Sequence, residues 1–360
     1  MENLNEHRKK IDDIDNQILK LLNRRMKSVE EIGKAKQTTG TSIYRPEREK
    51  EILDRLKSLN SGKLNTKAID AIFLEIFAVS RNLEMPEKIV FLGPDRSYTH
   101  QVAQSRFGAM GNYIALNSIE AVFKVLKNGE AKYGVVPIEN NTEGAIGITL
   151  DCLGKFDSLI VSEIYMDIHH SFATTCESLK NIKKIYSHTQ GYNQCRKFLE
   201  EHMLLDIEFI PTKSTASSAK LASNEPHSGA ICSHIAAKFY NVPILFDKIE
   251  DNSTNKTKFI ILSNFKNRPS IQNKTSILAK TENRSGGLVN FLKSFENEKV
   301  NITKIESRPT EKNKSHAVFY IDFEGHIDDK NVQRVLKSNR DINEIKWLGS
   351  YVKAGEESDI

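Results

Sequence analysis

The chain has few of the residues and patterns that mark a metalloprotein, a disulfide scaffold or a membrane protein. It holds four cysteines in 360 residues. They are Cys152, Cys176, Cys195 and Cys232, the closest two nineteen positions apart. No C-x-x-C pair and no Cys/His cluster has zinc spacing, so neither a metal site nor a disulfide framework is expected. No apolar run approaches membrane length, and the opening "MENLNEHRKK" lacks the apolar stretch of a secretory signal. A cytoplasmic protein without membrane association is the expectation. Net charge is +5, but the lysines are dispersed and no basic run is interleaved with aromatics. Nucleic acid is therefore not expected as a partner, whereas small acidic substrates fit the balance.

What is present is ordinary globular composition, 39% hydrophobic and 28% charged, long enough for two or three domains. Three textures follow one another. Residues 1–86 read as all helix: one long helix from about 5 to 38, one opened by Pro46, and a third over "TKAIDAIFLEIFAVSRNLE" stopped by Pro86. From 87 to 265 short β-branched or aromatic runs ("KIVFLG", "YGVVPI", "KIYS", "GAICS", "TKFIILS") alternate with helical patterns, an α/β arrangement. The polar "FKNRPSIQNK" is the expected linker. Residues 274–355 then read β-α-β-β-α-β, the order of a ferredoxin-like α+β module.

The helical segment carries a contradiction. Ile11, Ile14, Ile18, Leu22, Val29 and Ile32 repeat at helical spacing along one face. Arg25 and Lys36 fall within roughly 20° of Ile18, in the middle of that stripe. Arg48 and Glu49 share the apolar side of the second helix, and Ser80 and Glu84 that of the third. Any one such residue can snorkel or pair locally. Six over three helices indicate a polar pocket with surplus cations, suited to a small dianion, because an unpaired buried charge is too costly to keep.

These residues resemble the all-helical chorismate mutase domain: Arg8, Arg25, the "GKAK" ending in Lys36, "RPERE" with Arg48 and Glu49, and "SRNLE" with Ser80 and Glu84. The resemblance implies that Arg8, Arg25 and Arg48 hold the two carboxylates of chorismate. Lys36 and Glu84 would bond the ether oxygen, and Glu49 and Ser80 would orient the ring hydroxyl. The implied reaction is a unimolecular pericyclic rearrangement to prephenate, needing no cofactor; the site holds the compact conformer and stabilises charge on the breaking ether. Arg8 and Arg25 lie about 25 Å apart along one helix and point about 100° apart. Unless Arg8 is irrelevant, it serves a partner's site in a two-fold dimer, which is the family pattern.

In the middle segment "FLGPDRSYTHQVA", "GVVPIENNTEGAIGITLD", "IYSHTQGYNQC", "STASSA" and "NKTKFIIL" each place hydroxyl or amide residues at a strand-to-helix turn, where free N–H groups meet anions. In this order they resemble prephenate dehydratase, which implies two α/β lobes around a cleft, like the bilobed periplasmic binding proteins. The implied site uses Asn140 with Glu139, Ser187, His188 and Gln194, and Thr257, Lys258 and Phe259. Prephenate would lose water and carbon dioxide to give phenylpyruvate, with Thr257, Glu139 and His188 as candidate proton donors. Lys258 stands where the family usually has Arg, Arg96 where Gly is usual, and Thr189 in place of Pro.

The last segment carries "SGGLV" (Gly286, Gly287, Leu288, Val289) and "ESRP" (Glu306, Ser307, Arg308, Pro309), which resemble the phenylalanine-binding motifs of ACT-type regulatory domains. Together the three segments resemble the bifunctional chorismate mutase–prephenate dehydratases of phenylalanine biosynthesis. That implies chorismate and prephenate as substrates, L-phenylalanine as feedback inhibitor, no cofactor or metal, and a homodimer or higher even-numbered homo-oligomer. The alternatives are an amino-acid or prephenate sensor with degenerate sites, and a dehydratase with an idle mutase domain.

Overall fold

The computed structural model describes residues 2–39, 46–84, 88–282, 284–308, 316–339 and 344–354, with side chains for all of these except 2, 3, 36–39, 84, 282, 316 and 317. The chain divides into two compact units, separated between residues 87 and 88, with residues 107–112 assigned to the first.

The first unit is built on α1 (Glu2–Thr39), α2 (Pro46–Leu59) and α3 (Thr66–Glu84). Pro46 opens α2 where its missing N–H costs nothing, followed by Glu47 and Glu49 at the positive helix end. Asn65 caps α3 by accepting from the Ala68 N–H at 2.8 Å. Against α3, of about 28 Å, α1 is about 57 Å long and cannot be covered over its full length. Every residue from Leu4 to Leu21 is exposed, Ile11, Ile14 and Ile18 at about half their area. Only from Leu22 onward does α1 bury side chains, with Val29 at 8% exposure. Of the stripe read as one buried face, only Leu22 and Val29 are packed within one chain, and Ile32 is half exposed like Ile11, Ile14 and Ile18.

The second unit contains two α/β lobes. Lobe one has β1 (Lys88–Leu92), β2 (Asn112–Leu116), β3 (Tyr133–Asn140), β4 (Gly144–Ala145), β5 (Leu159–Asp167) and β11 (Lys256–Ser263), in the order β2-β1-β3-β11-β5 with β4 on β3. Lobe two has β6 (Ser171–Thr174), β7 (Lys184–Ser187), β8 (Glu208–Pro211), β9 (Ser228–Cys232) and β10 (Ile244–Phe246), in the order β10-β6-β9-β7-β8. The chain leaves lobe one after β5 and returns to it as β11, so two crossovers join the lobes. Helices α4 (Tyr98–Phe107), α5 (Ile119–Lys127) and α6 (Gly147–Lys155) belong to lobe one. Helices α7 (Thr189–Asn193), α8 (Arg196–Glu201), α9 (Thr215–Asn224) and α10 (His234–Phe239) belong to lobe two. The two-lobed α/β arrangement is the expected one.

The C-terminal module is β12 (Asn273–Glu282), α11 (Gly287–Asn297), β13 (Ile302–Arg308), β14 (His316–Glu324), α12 (Lys330–Asn339) and β15 (Glu344–Val352). Its order β13-β14-β12-β15, antiparallel throughout, is that of the ferredoxin-like fold. Strand alternation gives the sheet two different faces. Ile277, Ala279, Ile321 and Phe323 pack on Phe291 and Phe295 of α11 and on Val332 of α12. Leu278, Tyr320, Leu348 and Tyr351 instead join Val136, Leu153, Phe156 and Ile260 of lobe one in a single core. Two segments distinct in sequence thus share one interior.

Gly349 marks how close that approach is. Its φ is +146°, and a Cβ there would lie 2.2 Å from the Ile160 carbonyl oxygen on β5. Gly349→Ala is expected to destabilise this unit by about 3 kcal/mol, combining backbone strain with overpacking. A denaturant midpoint unchanged from the parent would mean that β15 does not press on β5 in solution.

Candidate active sites

In the helical unit α1 and α3 bring Arg25 and Ser80 together, the guanidinium Nη1 donating to Ser80 Oγ at 2.5 Å and its Cζ lying 5.8 Å from the Phe77 ring centre. Glu49 forms a salt bridge with Arg81, a 7%-exposed cation that sequence reading passed over. Arg48 is exposed and pairs with Glu51 at 2.9 Å. Arg8 lies on the uncovered half of α1. The side chains of Lys36 and Glu84 lie outside the described residues.

Between the two lobes lies a cleft of about 460 Å³, the size of a small-molecule site. From lobe one it is lined by Asn140 at the end of β3 and by Thr257 and Phe259 on β11. His188, Gln194, Lys213, Ser214 and Thr215 line it from lobe two, with His170 and Asn255 at the crossovers. A chain of hydrogen bonds connects them. Asn140 Nδ2 donates to Thr257 Oγ1 at 2.8 Å and to Asn255 Oδ1 at 3.0 Å. Its Oδ1 accepts from the N–H groups of Thr142 and Glu143, so this amide is pinned at both ends. Asn255 Nδ2 donates to Gln194 Oε1 at 3.1 Å, and the same oxygen meets His170 Nε2 at 3.1 Å.

An amide oxygen only accepts, so Nε2 of His170 carries the hydrogen. Burial pushes the pKa of this 3%-exposed imidazole below the ordinary histidine value, which keeps it neutral near pH 7. His170 also lies 3.5 Å from the Tyr98 hydroxyl, which donates to the His169 carbonyl at 2.5 Å. From the return crossover Glu250, its side chain 2% exposed, accepts from the His170 N–H at 2.9 Å and meets His169 Nδ1 at 2.6 Å. His170, Asn255 and Tyr98 were not singled out from sequence. The signal available was "DIHHSF", polar residues wedged between two apolar runs.

Three of the dehydratase candidates sit elsewhere. Ser187 is fully buried and donates to the His188 carbonyl, beneath Gly191 and behind the cleft wall. Glu139 and Lys258 are offset by one residue from Asn140 and Thr257, so alternation turns them to the opposite face of the sheet. There Glu139 pairs with Lys304 of β13 at 2.6 Å and Lys258 with Glu163 of β5 at 2.9 Å. Neither lines the cleft, which corrects the substrate-binding role expected of Lys258 and removes Glu139 from reach as a proton donor. His188 does line it, while its Nδ1 also accepts from Gln190 N–H to cap α7.

Of the effector motifs, Gly286 caps α11 with φ +80° and Val289 is 66% exposed. Arg308 is engaged across the shared interface, its Nη2 donating to both oxygens of Asp151 on α6 at 2.7 and 2.8 Å. Ser307 is exposed beside it. The register row Lys280–Val318–Arg308 puts the C-terminal ends of β12 and β13 at one end of the sheet. The two motifs therefore share that end. Pro309 lies outside the described residues.

A chorismate mutase type II family model matches residues 7–85, and a prephenate dehydratase model matches residues 89–267. The chain is 37% identical over 359 residues to the bifunctional chorismate mutase/prephenate dehydratase of Aquifex aeolicus, covering 98% of this chain and 99% of that protein. This chain belongs to the bifunctional chorismate mutase/prephenate dehydratase family. The Pseudomonas aeruginosa member is likewise 37% identical, over 96% of this chain and 97% of its own. A crystal structure of the Arthrobacter aurescens prephenate dehydratase in complex with L-Phe superposes with a TM-score of 0.68 at 30% identity, covering 76% of this chain and 92% of that one. As a bifunctional chorismate mutase/prephenate dehydratase, the enzyme carries its two activities on separate compact units. No helix of the described residues is long and apolar enough to cross a membrane.

Proposed function

We propose that the interlobe cleft is the dehydratase site, with Thr257 as the hydrogen donor to the leaving hydroxyl of prephenate. The observation that carries this reading is the Asn140–Thr257 bond: because Thr257 Oγ1 accepts from a pinned amide, its own hydrogen is left for a ligand in the cleft. The same donation stabilises charge developing on Oγ1 as the proton departs, making a poor acid a better one. In the reaction the ring carboxylate's C–C bond breaks and carbon dioxide leaves. That electron pair enters the ring, the C–O bond breaks, and the leaving hydroxide takes the Thr257 proton to depart as water from the aromatic ring, Thr257 regaining a proton from solvent for the next turnover. Lys213, the one lysine or arginine lining the cleft among the described residues, suits a substrate carboxylate together with Ser214 and Thr215 at the start of α9. Prephenate supplied to the protein should yield phenylpyruvate, followed by its absorbance in base. No product above the uncatalysed rate would overturn the reading.

The mutase site belongs to the helical unit, centred on Arg25 with Ser80, and is completed by Arg8 of a second copy. An exposed stripe of Ile11, Ile14 and Ile18 on an overhanging helix supports this, since such patches mark interaction surfaces. A homodimer pairing α1 with its copy covers the stripe and delivers Arg8 about 25 Å from its own Arg25. Such an enzyme works in the cytoplasm in phenylalanine biosynthesis.

L-Phenylalanine acts at the end of the C-terminal module that carries Gly286–Val289 and Ser307–Arg308. Ser307→Val is expected to raise the phenylalanine concentration for half-inhibition about tenfold, with uninhibited turnover near parental. Equal inhibition of variant and parent would move the effector site elsewhere.

A further inference from the structure

The bond that positions Thr257 sits on an irregularity in the sheet. Along β11 and β3 the register pairs Thr257 with Asn140 and Lys258 with Glu139, then shifts between Lys258 and Phe259, so that Phe259 faces Pro137. A bulge loosens the ladder locally and re-aims the side chains beside it. Here it falls one residue past Thr257, between Lys258 and Phe259, on the β3 edge of β11, while the β5 edge keeps its register through these residues.

The opposite face of that pair is held both from β5 within the lobe and from the C-terminal module. Lys258, 4% exposed, places Nζ 2.9 Å from Glu163 of β5 and 3.4 Å from Asp322 of β14. Lys274 of β12 pairs with Glu163 and lies 3.6 Å from Asp322, giving two cations and two anions, all buried. Asp322 is fixed in turn by Ser276 Oγ at 2.5 Å, and Ser276 by the hydroxyls of Tyr351 at 2.7 Å and Tyr320 at 3.1 Å. Glu139, opposite Lys258, takes its own tie to Lys304 of β13 at 2.6 Å. A buried ion cluster adds little net stability over apolar packing. Its directional bonds do fix where a backbone lies.

We propose that Lys258 and Glu139 are positioning residues for the dehydratase reaction, through which Asp322 and Lys304 of the C-terminal module set the Asn140–Thr257 geometry. The inference rests on the reading that Thr257 acts in the cleft. It assigns the module a part in catalysis itself: two of its charges, Asp322 and Lys304, each pair with the chain neighbour of a member of the cleft's hydrogen-bonded pair. It also gives an effector a physical route, since any displacement of β13 or β14 pulls on the bulge.

The test is a steady-state series on the full chain with prephenate, each variant's mutase rate and thermal midpoint recorded beside it. Lys304→Met leaves Glu139 partly exposed and able to hydrate, so folding is retained. It is expected to lower dehydratase kcat about tenfold with KM for prephenate within about twofold, because orientation is lost while contacts remain. Glu139→Met should do the same, and the double variant should be no worse than either single one. Lys258→Arg, which keeps the charge, should hold kcat within about threefold. Lys258→Met combined with Asp322→Asn, which removes one charge of each sign, should recover the thermal midpoint lost in Lys258→Met but not its kcat. Parental kcat in Lys304→Met, or in the double variant with a recovered midpoint, would overturn the proposal. Thr257→Ala run in parallel separates the two readings: if it too retains parental turnover, the cleft assignment has failed rather than the coupling.

Discussion

Thr257→Ala is expected to lower phenylpyruvate formation by about 10²–10³-fold, the usual cost of deleting one preorganised donor. Chorismate should disappear at the parental rate, because the mutase activity is carried by a separate compact unit, and prephenate should accumulate. The size of the effect follows from the fixed position of the hydroxyl on the pinned Asn140 amide. The ionisable cleft residues His188 and Glu143 do not share that position, His188 Nδ1 being taken by the cap of α7. His170 is neutral and its Nε2 hydrogen is committed to Gln194. Glu139 faces away from the cleft, and Asn140 and Gln194 are amides that do not release protons. Thr257→Ser, retaining Oγ, should keep most of the activity, whereas Thr257→Val, of equal shape, should behave like alanine. A chromatographic time course of chorismate, prephenate and phenylpyruvate reads all three. Dehydration at the parental rate in Thr257→Ala would remove the residue from the site, and loss of both activities together would report a folding defect.

Mixing Arg8→Ala chains with Arg25→Ala chains should restore mutase activity that neither variant has alone. Arg25 lies in the half of α1 that packs on α3 and is bonded to Ser80. Arg8 lies in the half where every residue from Leu4 to Leu21 is exposed. Seventeen residues of helix separate them by about 25 Å, beyond what two side chains closing on one molecule of chorismate size can span. If two α1 helices pair antiparallel about a two-fold axis, each site takes Arg25 from one chain and Arg8 from the other. Random exchange then makes half the dimers mixed, each with one intact site of two, and returns about a quarter of parental activity. No recovery under conditions where subunit exchange is demonstrated, for instance by fluorescence transfer between labelled chains, would rule out the shared site.

The local chemistry of the sequence by itself determined the elements and their order. Pro46 and Pro86 bracket the second and third helices, the 3.6-residue period drew α1 to within three residues at its start and one at its end, and the β-α-β-β-α-β order of the last segment forced a ferredoxin-like sheet. These are short-range effects, decided by residues a turn or a strand apart. Of the lobe-one strands, β2, β4 and β5 did not read as strands, and for β5 the reason is tertiary. Glu163 interrupts its apolar run, and the reason it can be buried there, Lys258 and Lys274, lies 95 and 111 positions further on. The same distance separates what was legible of the cleft from what was not. Asn140, His188, Gln194, Thr257 and Phe259, all named from the motifs, line it. Alternation along β3 and β11 requires that their neighbours face the other way, but which set faces the cleft is settled by what packs on each side of the sheet. Only the tertiary structure decided that, by laying the C-terminal module against one face and the second lobe across the other. His170 and Asn255 join the site for the same reason: they sit at the two crossovers, far apart in sequence, and meet through Gln194 once the lobes are in place. For α1 the sequence specified an apolar stripe with cations in it. A single folded chain leaves Ile11, Ile14, Ile18 and Ile32 half exposed, and over the first half of α1 the reason is that α3 is half the length of α1 and cannot cover it.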